Sequence, residues 1–196
     1  MTSSDAAAGT GSKTMFTWRS PDGGRLEQVR LKTSGGRLRA NGRIIAAATD
    51  DVEAYSVSYE LVTNDIGVTR RFSVRVRRGD GDGQLEVSRD LDGKWMVQTP
   101  DTIVHSEFGG AETLDVLDSP FFTTLAVNRF KLLGGGTAAD VPVVRLTFPT
   151  STIEPVTADY TVDGDRLTVV TGGVTHELTL DDDGLVVEYP GYATRI

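Results

Sequence analysis

Apolar and polar residues alternate along most of this chain, which is the pattern of β-strands that bury one face. The alternation is regular in residues 54–61, where Tyr, Val, Tyr and Leu occupy every second position. In residues 68–78, Phe72 and Val74 fall on one face while Arg71 and Arg75 fall on the other. These two stretches predict neighbouring antiparallel strands, each with a buried and a solvated side.

The same alternation continues in short stretches separated by Gly-rich turns such as Asp92-Gly93 and Asp183-Gly184. We interpret Asn41-Gly42 as a bulge or tight turn, and the prolines of 141–149 as a sign of an edge strand or of strand ends. The regular spacing predicts an all-β, mainly antiparallel fold. The predicted strands are 15–19, 26–31, 37–45, 54–61, 68–78, 84–89, 94–97, 103–104, 112–114, 141–149, 156–162, 167–170, 174–180 and 185–190.

One segment, residues 114–133, departs from this pattern. Ser119-Pro120 opens a stretch without Gly, and Gly134 begins the glycine run that closes it. Ser followed by Pro is typical of a helix start, so the segment predicts one short helix of about three turns. We expect this helix to dock into the curved sheet, with Asp115 and Arg129 bracing its two ends.

Composition limits the domain organisation. A chain of 196 residues without cysteine can bury one sizeable core without disulfides. Residues 1–13 are rich in Ala, Ser, Gly and Thr and are predicted to be a disordered leader, with a single domain in 14–196. Because no secretory signal and no long apolar stretch is present, we expect a cytoplasmic protein.

The net charge of -8 argues against a nucleic-acid-binding protein, since phosphate backbones attract clustered cations. One basic run, residues 70–78, runs against this balance. Its arginines are either a solvated strand face paired with acidic neighbours or a contact for an anionic ligand or head group.

Catalytic motifs are absent from the sequence. The two histidines, His105 and His176, have no nucleophile or metal-ligand spacing around them, and no nucleotide-binding loop is present. We therefore expect no cofactor and no metal. Asp115 and Asp118, which flank an apolar segment, are the candidates for acid or base chemistry.

Large aromatic side chains are the remaining feature. They fill the core, or they line a concave apolar surface, since a long curved sheet with one helix either closes on itself or leaves a hollow for an amphiphile. These residues are Trp18, Tyr55, Tyr59, Trp95, Phe121, Phe122 and Phe130.

Several motifs carry a family resemblance: Gly93-Lys94-Trp95, the run Asp115 to Phe121 with Arg129, and the closing run Gly184 to Gly191. In this order they resemble the glycolipid-binding family of bacterial proteins, over nearly the whole chain after Lys13. The sequence departs from the family at Gly67-Val68, where the family has a Trp, and within residues 122–129, where one arginine and one amide are replaced.

The resemblance implies a spiral β-roll, a long curved sheet with an internal duplication; residues 58–95 and 159–186 echo each other. It also implies non-enzymatic binding of a glycolipid or similar amphiphile in the concavity of the sheet. The alternatives are a hydrolase or isomerase that uses Asp115 on a sugar or lipid ester, and an assembly protein that pairs two copies as a homodimer through a strand edge. The predicted ligand-binding residues are Tyr59, Arg70, Arg71, Trp95, Asp115, Phe121, Phe122, Arg129 and Tyr189.

Overall fold

The computed structural model describes residues 12–196, and their side chains from Thr14 onward. The predicted leader 1–13 lies outside the described residues, apart from Ser12 and Lys13, which begin the first strand. The described chain forms one helix, α1 (Pro120–Arg129), a short 3-10 turn (Phe108–Gly110) and fifteen strands. The strands are β1 Ser12–Arg19, β2 Arg25–Ser34, β3 Arg37–Ala46, β4 Tyr55–Thr63, β5 Thr69–Arg78, β6 Gly81–Arg89, β7 Trp95–Gln98, β8 Ile103–Ser106, β9 Thr113–Val116, β10 Gly136–Thr147, β11 Thr152–Asp163, β12 Arg166–Thr171, β13 Val174–Leu180, β14 Val186–Tyr189 and β15 Ala193–Arg195.

All fifteen strands belong to one long, curved and open sheet. Across the sheet, the strands follow in descending order from β8 to β1 and then from β15 to β9. The first strand of the chain therefore pairs with the last one in the middle of the sheet. Every neighbouring pair is antiparallel except β9 and β10, which are parallel and are connected through α1. The predicted fold, a mainly antiparallel curved sheet with one central helix, is confirmed. We refer to β1–β8 as the N-terminal half and to β9–β15 as the C-terminal half.

One turn type recurs in both halves and explains the Gly spacing of the sequence. In each turn, the side chain of a polar residue accepts a hydrogen bond from the backbone N–H of a residue four or five positions later. The backbone carbonyl of the same polar residue accepts a hydrogen bond from the N–H of a glycine three positions later. That glycine has φ between 75° and 87°, a left-handed conformation that side chains with a Cβ avoid. The four turns begin at Ser20, Asn64, Asp90 and Asp181 and use Gly23, Gly67, Gly93 and Gly184.

Gly42 lies inside β3, so the predicted bulge or tight turn at Asn41-Gly42 is wrong. A Cβ at position 42 would lie 2.1 Å from Cζ of the Tyr59 ring, on the neighbouring strand. The glycine is needed because the ring lies directly over its backbone. A long-range contact therefore overrides the local signal for a turn.

Strand β10 is not at the edge of the sheet, because it lies between β9 and β11. Pro142 is tolerated there because pairing with β9 begins one residue later, at Val143. The missing N–H of the proline thus falls beyond the end of the shorter neighbour. Pro149 follows the end of the strand, as the sequence predicted.

The helix docks on the inner face of the sheet through two fully buried phenylalanines, Phe121 and Phe122. The Phe122 ring centroid lies 5.1 Å from that of Tyr59 and 5.2 Å from that of Phe72. These rings, with the buried Trp95, fill the concave side of the N-terminal half. Burial of several aromatic side chains supplies most of the energy that holds so short a helix in place.

A buried carboxylate, that of Glu27, holds the start of the helix. It accepts hydrogen bonds from the Tyr59 hydroxyl at 2.8 Å and from the Ser119 hydroxyl at 2.7 Å. Burial raises the pKa of Glu27, although both hydroxyls and the nearby Arg25 charge oppose the shift. The start of the helix is therefore held by Glu27 rather than by Asp115, and Arg129 near its end pairs with Glu112.

Candidate functional site

The C-terminal half contains a cavity of about 320 Å³ on the inner face of the sheet, beside the start of α1. We call it the polar cavity. Its walls come from β9, β10, β11, β12, β13 and β14 and from the residues that precede and follow the start of the helix. Its polar lining is Asp115, Asp118, Thr123, Arg145, Tyr160, Thr171, His176, Tyr189 and Tyr192; its apolar lining includes Val116, Leu117, Val169, Val174 and Leu178.

An ion pair between Asp115 and Arg145 forms part of this wall. The parallel register of β9 and β10 places the two residues opposite each other, and the Arg145 Nε donates to a carboxylate oxygen at 3.0 Å. Both side chains are largely buried, with exposed fractions of 16% and 17%. Arg145 also donates to the Thr171 hydroxyl at 3.3 Å, so its guanidinium is fixed by two partners.

Burial raises the pKa of Asp115, and the Arg145 charge opposes the shift. An ion pair of this kind, which faces a cavity rather than bulk water, can offer bidentate hydrogen bonds to a polar ligand. The arrangement suits recognition of neighbouring hydroxyl groups.

Asp118 adds a second carboxylate to the same cavity. The residue has a left-handed backbone, with φ of 61°, and directly precedes the Ser-Pro start of the helix. Arg25 approaches its carboxylate at 4.0 Å. Burial raises the pKa of Asp118, and Arg25 and His176 oppose the shift through their charges.

Aromatic rings form another part of the cavity wall. The rings of Tyr189 and Tyr192 lie 4.4 Å apart between centroids, and the His176 ring meets them edge-on at 5.5 Å and 5.7 Å. Burial raises the pKa of Tyr160 and of Tyr189, so both hydroxyls remain protonated and able to donate. The cavity thus combines an aromatic surface with fixed hydrogen-bond donors and acceptors.

A second cavity, of about 390 Å³, lies near the end of α1 and is more apolar. Thr124, Val127 and Asn128 of the helix line it, whereas Thr123 faces the polar cavity. We call this second cavity the apolar cavity. Its other lining residues are Thr14, Phe16, Leu31, Thr33, Leu38, Lys131, Leu133, Asp183, Gly184 and Leu185.

The residues predicted from the sequence to bind a ligand are spread over the molecule. Asp115 and Tyr189 meet in the polar cavity. Tyr59, Trp95, Phe121 and Phe122 are buried in the core of the N-terminal half, Arg70 donates to the Asp90 carbonyl, Arg71 pairs with Glu86 at 2.8 Å, and Arg129 pairs with Glu112. A binding role for these seven residues stays a prediction.

Sequence reasoning missed Arg145, Tyr160, His176 and Tyr192 as members of the site. The alternation in β13 could have placed His176 on the same face as Leu178, which is buried. No pattern within the sequence shows that Arg145 lies opposite Asp115, thirty residues away, because that contact depends on the register of two parallel strands.

Within residues 12–196, no group of three or more His, Asp or Glu side chains is placed to hold a metal ion. No helix of the described residues is long and apolar enough to cross a membrane.

Comparisons with known proteins agree with this architecture. A DUF1089 family protein from Pseudomonas aeruginosa, solved by crystallography, superposes with a TM-score of 0.72 at 23% identity, over 91% of this chain and 95% of the other. At that identity the likeness shows the fold. No curated protein matches the sequence. Residues 15–195 match the family described as "Putative glycolipid-binding", and the chain therefore belongs to that family.

Proposed function

We propose that this protein binds the sugar head group of a glycolipid, or of a similar amphiphile, in the polar cavity, without catalysing a reaction. Membership of the family supports a binding role. The polar cavity, of about 320 Å³, lies at the small end of the range of volumes of ligand sites. This volume suits a head group of one or two sugar rings.

One observation carries the proposal: two tyrosine rings in close contact line the same cavity as a largely buried carboxylate and guanidinium pair. A sugar ring has an apolar face of C–H groups and a rim of hydroxyls. The apolar face packs on aromatic rings, and the hydroxyl groups need hydrogen-bond donors and acceptors that are already held in place. Tyr189 and Tyr192 supply the surface, while Asp115 and Arg145 supply fixed polar groups.

The apolar cavity supports the amphiphile part of the proposal. Phe16, Leu31, Leu38 and Leu185 give it walls that an alkyl chain can contact, and it flanks the same helix as the polar cavity. Each buried CH₂ of such a chain contributes about 0.8 kcal/mol. Alkyl glycosides should therefore bind more tightly than the corresponding free sugars.

The test is calorimetric titration with a panel of free monosaccharides and disaccharides and their octyl glycosides, alongside native mass spectrometry of the purified protein. We expect saturable binding, with octyl glycosides tighter than free sugars. A protein that is empty on purification and gives no heat with any member of the panel would refute the proposal.

The two histidines of the chain offer a matched pair of variants. His176 lines the polar cavity, whereas His105 is exposed on β8. Aromatic contacts contribute about 0.5–1.5 kcal/mol, so His176→Ala and Tyr189→Ala should each weaken binding by about threefold to tenfold. His105→Ala should leave the affinity unchanged; equal loss in both histidine variants would place the ligand elsewhere.

A hydrolase or isomerase is the second candidate, and one observation favours it. Asp115 and Asp118, both with a pKa raised by burial, line the same cavity. The hydrogen bond from Arg145 holds Asp115 as an ion pair and leaves Asp118 as the candidate acid. Turnover of chromogenic glycosides or acyl esters that is lost in Asp118→Asn would favour the enzyme over the binding protein.

A further inference from the structure

The outer face of strands β1, β2 and β3 is strongly basic in an acidic protein. Six cations point outward from these strands, and within the described residues no acidic side chain of the same three strands points outward beside them. We call this surface the basic face. Its cations are Arg19, Arg30, Lys32, Arg37, Arg39 and Arg43.

Few of these charges are neutralised by neighbours. Among the described residues, only Arg39 of the six forms an ion pair, with Glu60 at 3.5 Å, and both partners are about half exposed. Exposed pairs of this kind contribute little. The remaining five cations are therefore free to attract an anion.

The charge of the whole chain is distributed unevenly. Residues 112–196 carry 13 acidic and five basic side chains, whereas residues 1–111 carry 15 of each. The net charge of -8 thus resides in the part of the chain that forms the C-terminal half. An extended anionic surface attracts the basic face and repels the acidic C-terminal half, which orients the protein.

The basic face continues on β4 and β5 into a shallow depression of about 330 Å³. Its floor contains one row of the sheet, in which Arg43, Ser58 and Arg75 lie directly opposite one another. The Cα atoms of the two arginines are thus two strands apart, about 10 Å, with Ser58 between them. The Arg43 guanidinium donates to the Ser58 hydroxyl at 3.5 Å. This spacing suits a phosphate group held between two arginines.

Exposed aliphatic side chains accompany the cations. Met15, Leu26 and Ile45 have exposed fractions of 56%, 38% and 51% and point outward from the same three strands. Leu26 and Ile45 lie directly opposite each other, so they form a small apolar patch. Cations mixed with aliphatic side chains are typical of surfaces that lie on a lipid bilayer.

We propose that the basic face docks this protein on the surface of an anionic lipid bilayer, with lipid phosphates between Arg43 and Arg75 and the aliphatic side chains at the acyl boundary. A nucleic acid is the weaker candidate. From Thr14 onward, where side chains are described, the outward positions of β1, β2 and β3 include no aromatic side chain on which bases could stack. The proposal does not depend on the sugar-binding cavity.

Sedimentation with vesicles tests the proposal. Vesicles of phosphatidylglycerol and phosphatidylcholine should bind the intact protein, and vesicles of phosphatidylcholine alone should not; neither contains a glycolipid. Salt at about 0.5 M should release the protein, because the attraction is screened.

Two variants with the same change in net charge separate the basic face from bulk charge. Arg30→Gln with Arg43→Gln should weaken vesicle binding by about thirtyfold, since each cation near an anionic surface contributes about a factor of five. Lys94→Gln with Arg166→Gln, whose side chains are exposed outside the face, should leave vesicle binding within about twofold of the wild type. All four positions are exposed, so both variants should fold.

Three results would overturn the proposal. The first is an absence of binding to anionic vesicles, and the second is equal loss in the two double variants. The third is binding of single- or double-stranded DNA or of RNA through Arg30 and Arg43 without binding to vesicles.

Discussion

The two halves of the sheet curve around the same helix but are filled differently. In the N-terminal half, Phe72 and Trp95 are buried, and Phe122 of the helix packs on Phe72. The apolar cavity lies farther along the helix, near its end, between the helix and β1, β2 and β3. In the C-terminal half, Tyr160 and Tyr189 stand around a cavity of about 320 Å³. The N-terminal half thus supports the start of the helix with a filled aromatic core, whereas the C-terminal half keeps the polar cavity beside that start.

A buried carboxylate in each half shows the same division. The Glu27 carboxylate accepts hydrogen bonds from the hydroxyl groups of Tyr59 and Ser119 and so holds the helix in place. The Asp115 carboxylate accepts a hydrogen bond from the guanidinium of Arg145 and faces the polar cavity. Neutral hydroxyl donors close off the first site, whereas a charged partner keeps the second polar enough for a ligand.

Truncation of Phe122 should give the largest effect. Phe122→Ala removes a fully buried ring from the filled half and should lower the free energy of unfolding by about 3–5 kcal/mol. Tyr192→Ala, at the partly exposed wall of the polar cavity, should lower it by about 1 kcal/mol or less. Urea unfolding followed by circular dichroism measures both; similar losses would mean that the two halves are equally packed.

Substitution of Gly42 should give an intermediate effect. The added methyl group of Gly42→Ala would collide with the Tyr59 ring and pull its hydroxyl from Glu27, at a cost of about 1–3 kcal/mol. Gly83→Ala is the control in β6 of the same sheet, because its added Cβ would lie 3.8 Å from the closest atom, the Cβ of Val76. It should be neutral or stabilising by up to about 1 kcal/mol, and a larger loss in this control than in Gly42→Ala would contradict the packing described.

The pH dependence of stability should give the smallest effect. Because burial raises the pKa of Glu27 in the folded protein, the folded state holds a proton that the unfolded state releases once the pH exceeds the usual range of a glutamate. Stability from this group is complete at low pH and is lost as the pH rises through the raised pKa. Glu27→Gln should therefore lose less stability than the wild type as the pH rises above the usual glutamate pKa of about 4.3 and through the raised pKa of the folded protein.

Chemical unfolding at several pH values measures that difference. Glu60→Gln makes the same chemical change on the outer face, where the side chain is exposed, and should follow the wild type. Parallel curves for the wild type and Glu27→Gln would contradict the role assigned to the buried carboxylate.

The sequence predicted the strands and the helix because their signals are local. Alternation in β4 and β5 and the Ser119-Pro120 start are visible within ten residues. Gly42 was misinterpreted because its neighbour in space, Tyr59, lies on another strand. The same limitation hid the polar cavity, since tyrosines and phenylalanines look alike in composition, and only the register of distant strands decides which of them pack together.

The pairing of β1 with β15 places the two ends of the domain side by side at the centre of the sheet. The two outer strands, β8 and β9, are instead consecutive in the chain and are separated by a few residues around Gly109 and Gly110. A circularly permuted chain, opened at these glycines and joined between β15 and β1, would have every strand next to its sequence neighbour. Apart from the parallel step from β9 through α1 to β10, the sheet is therefore a meander whose first and last strands lie in its middle.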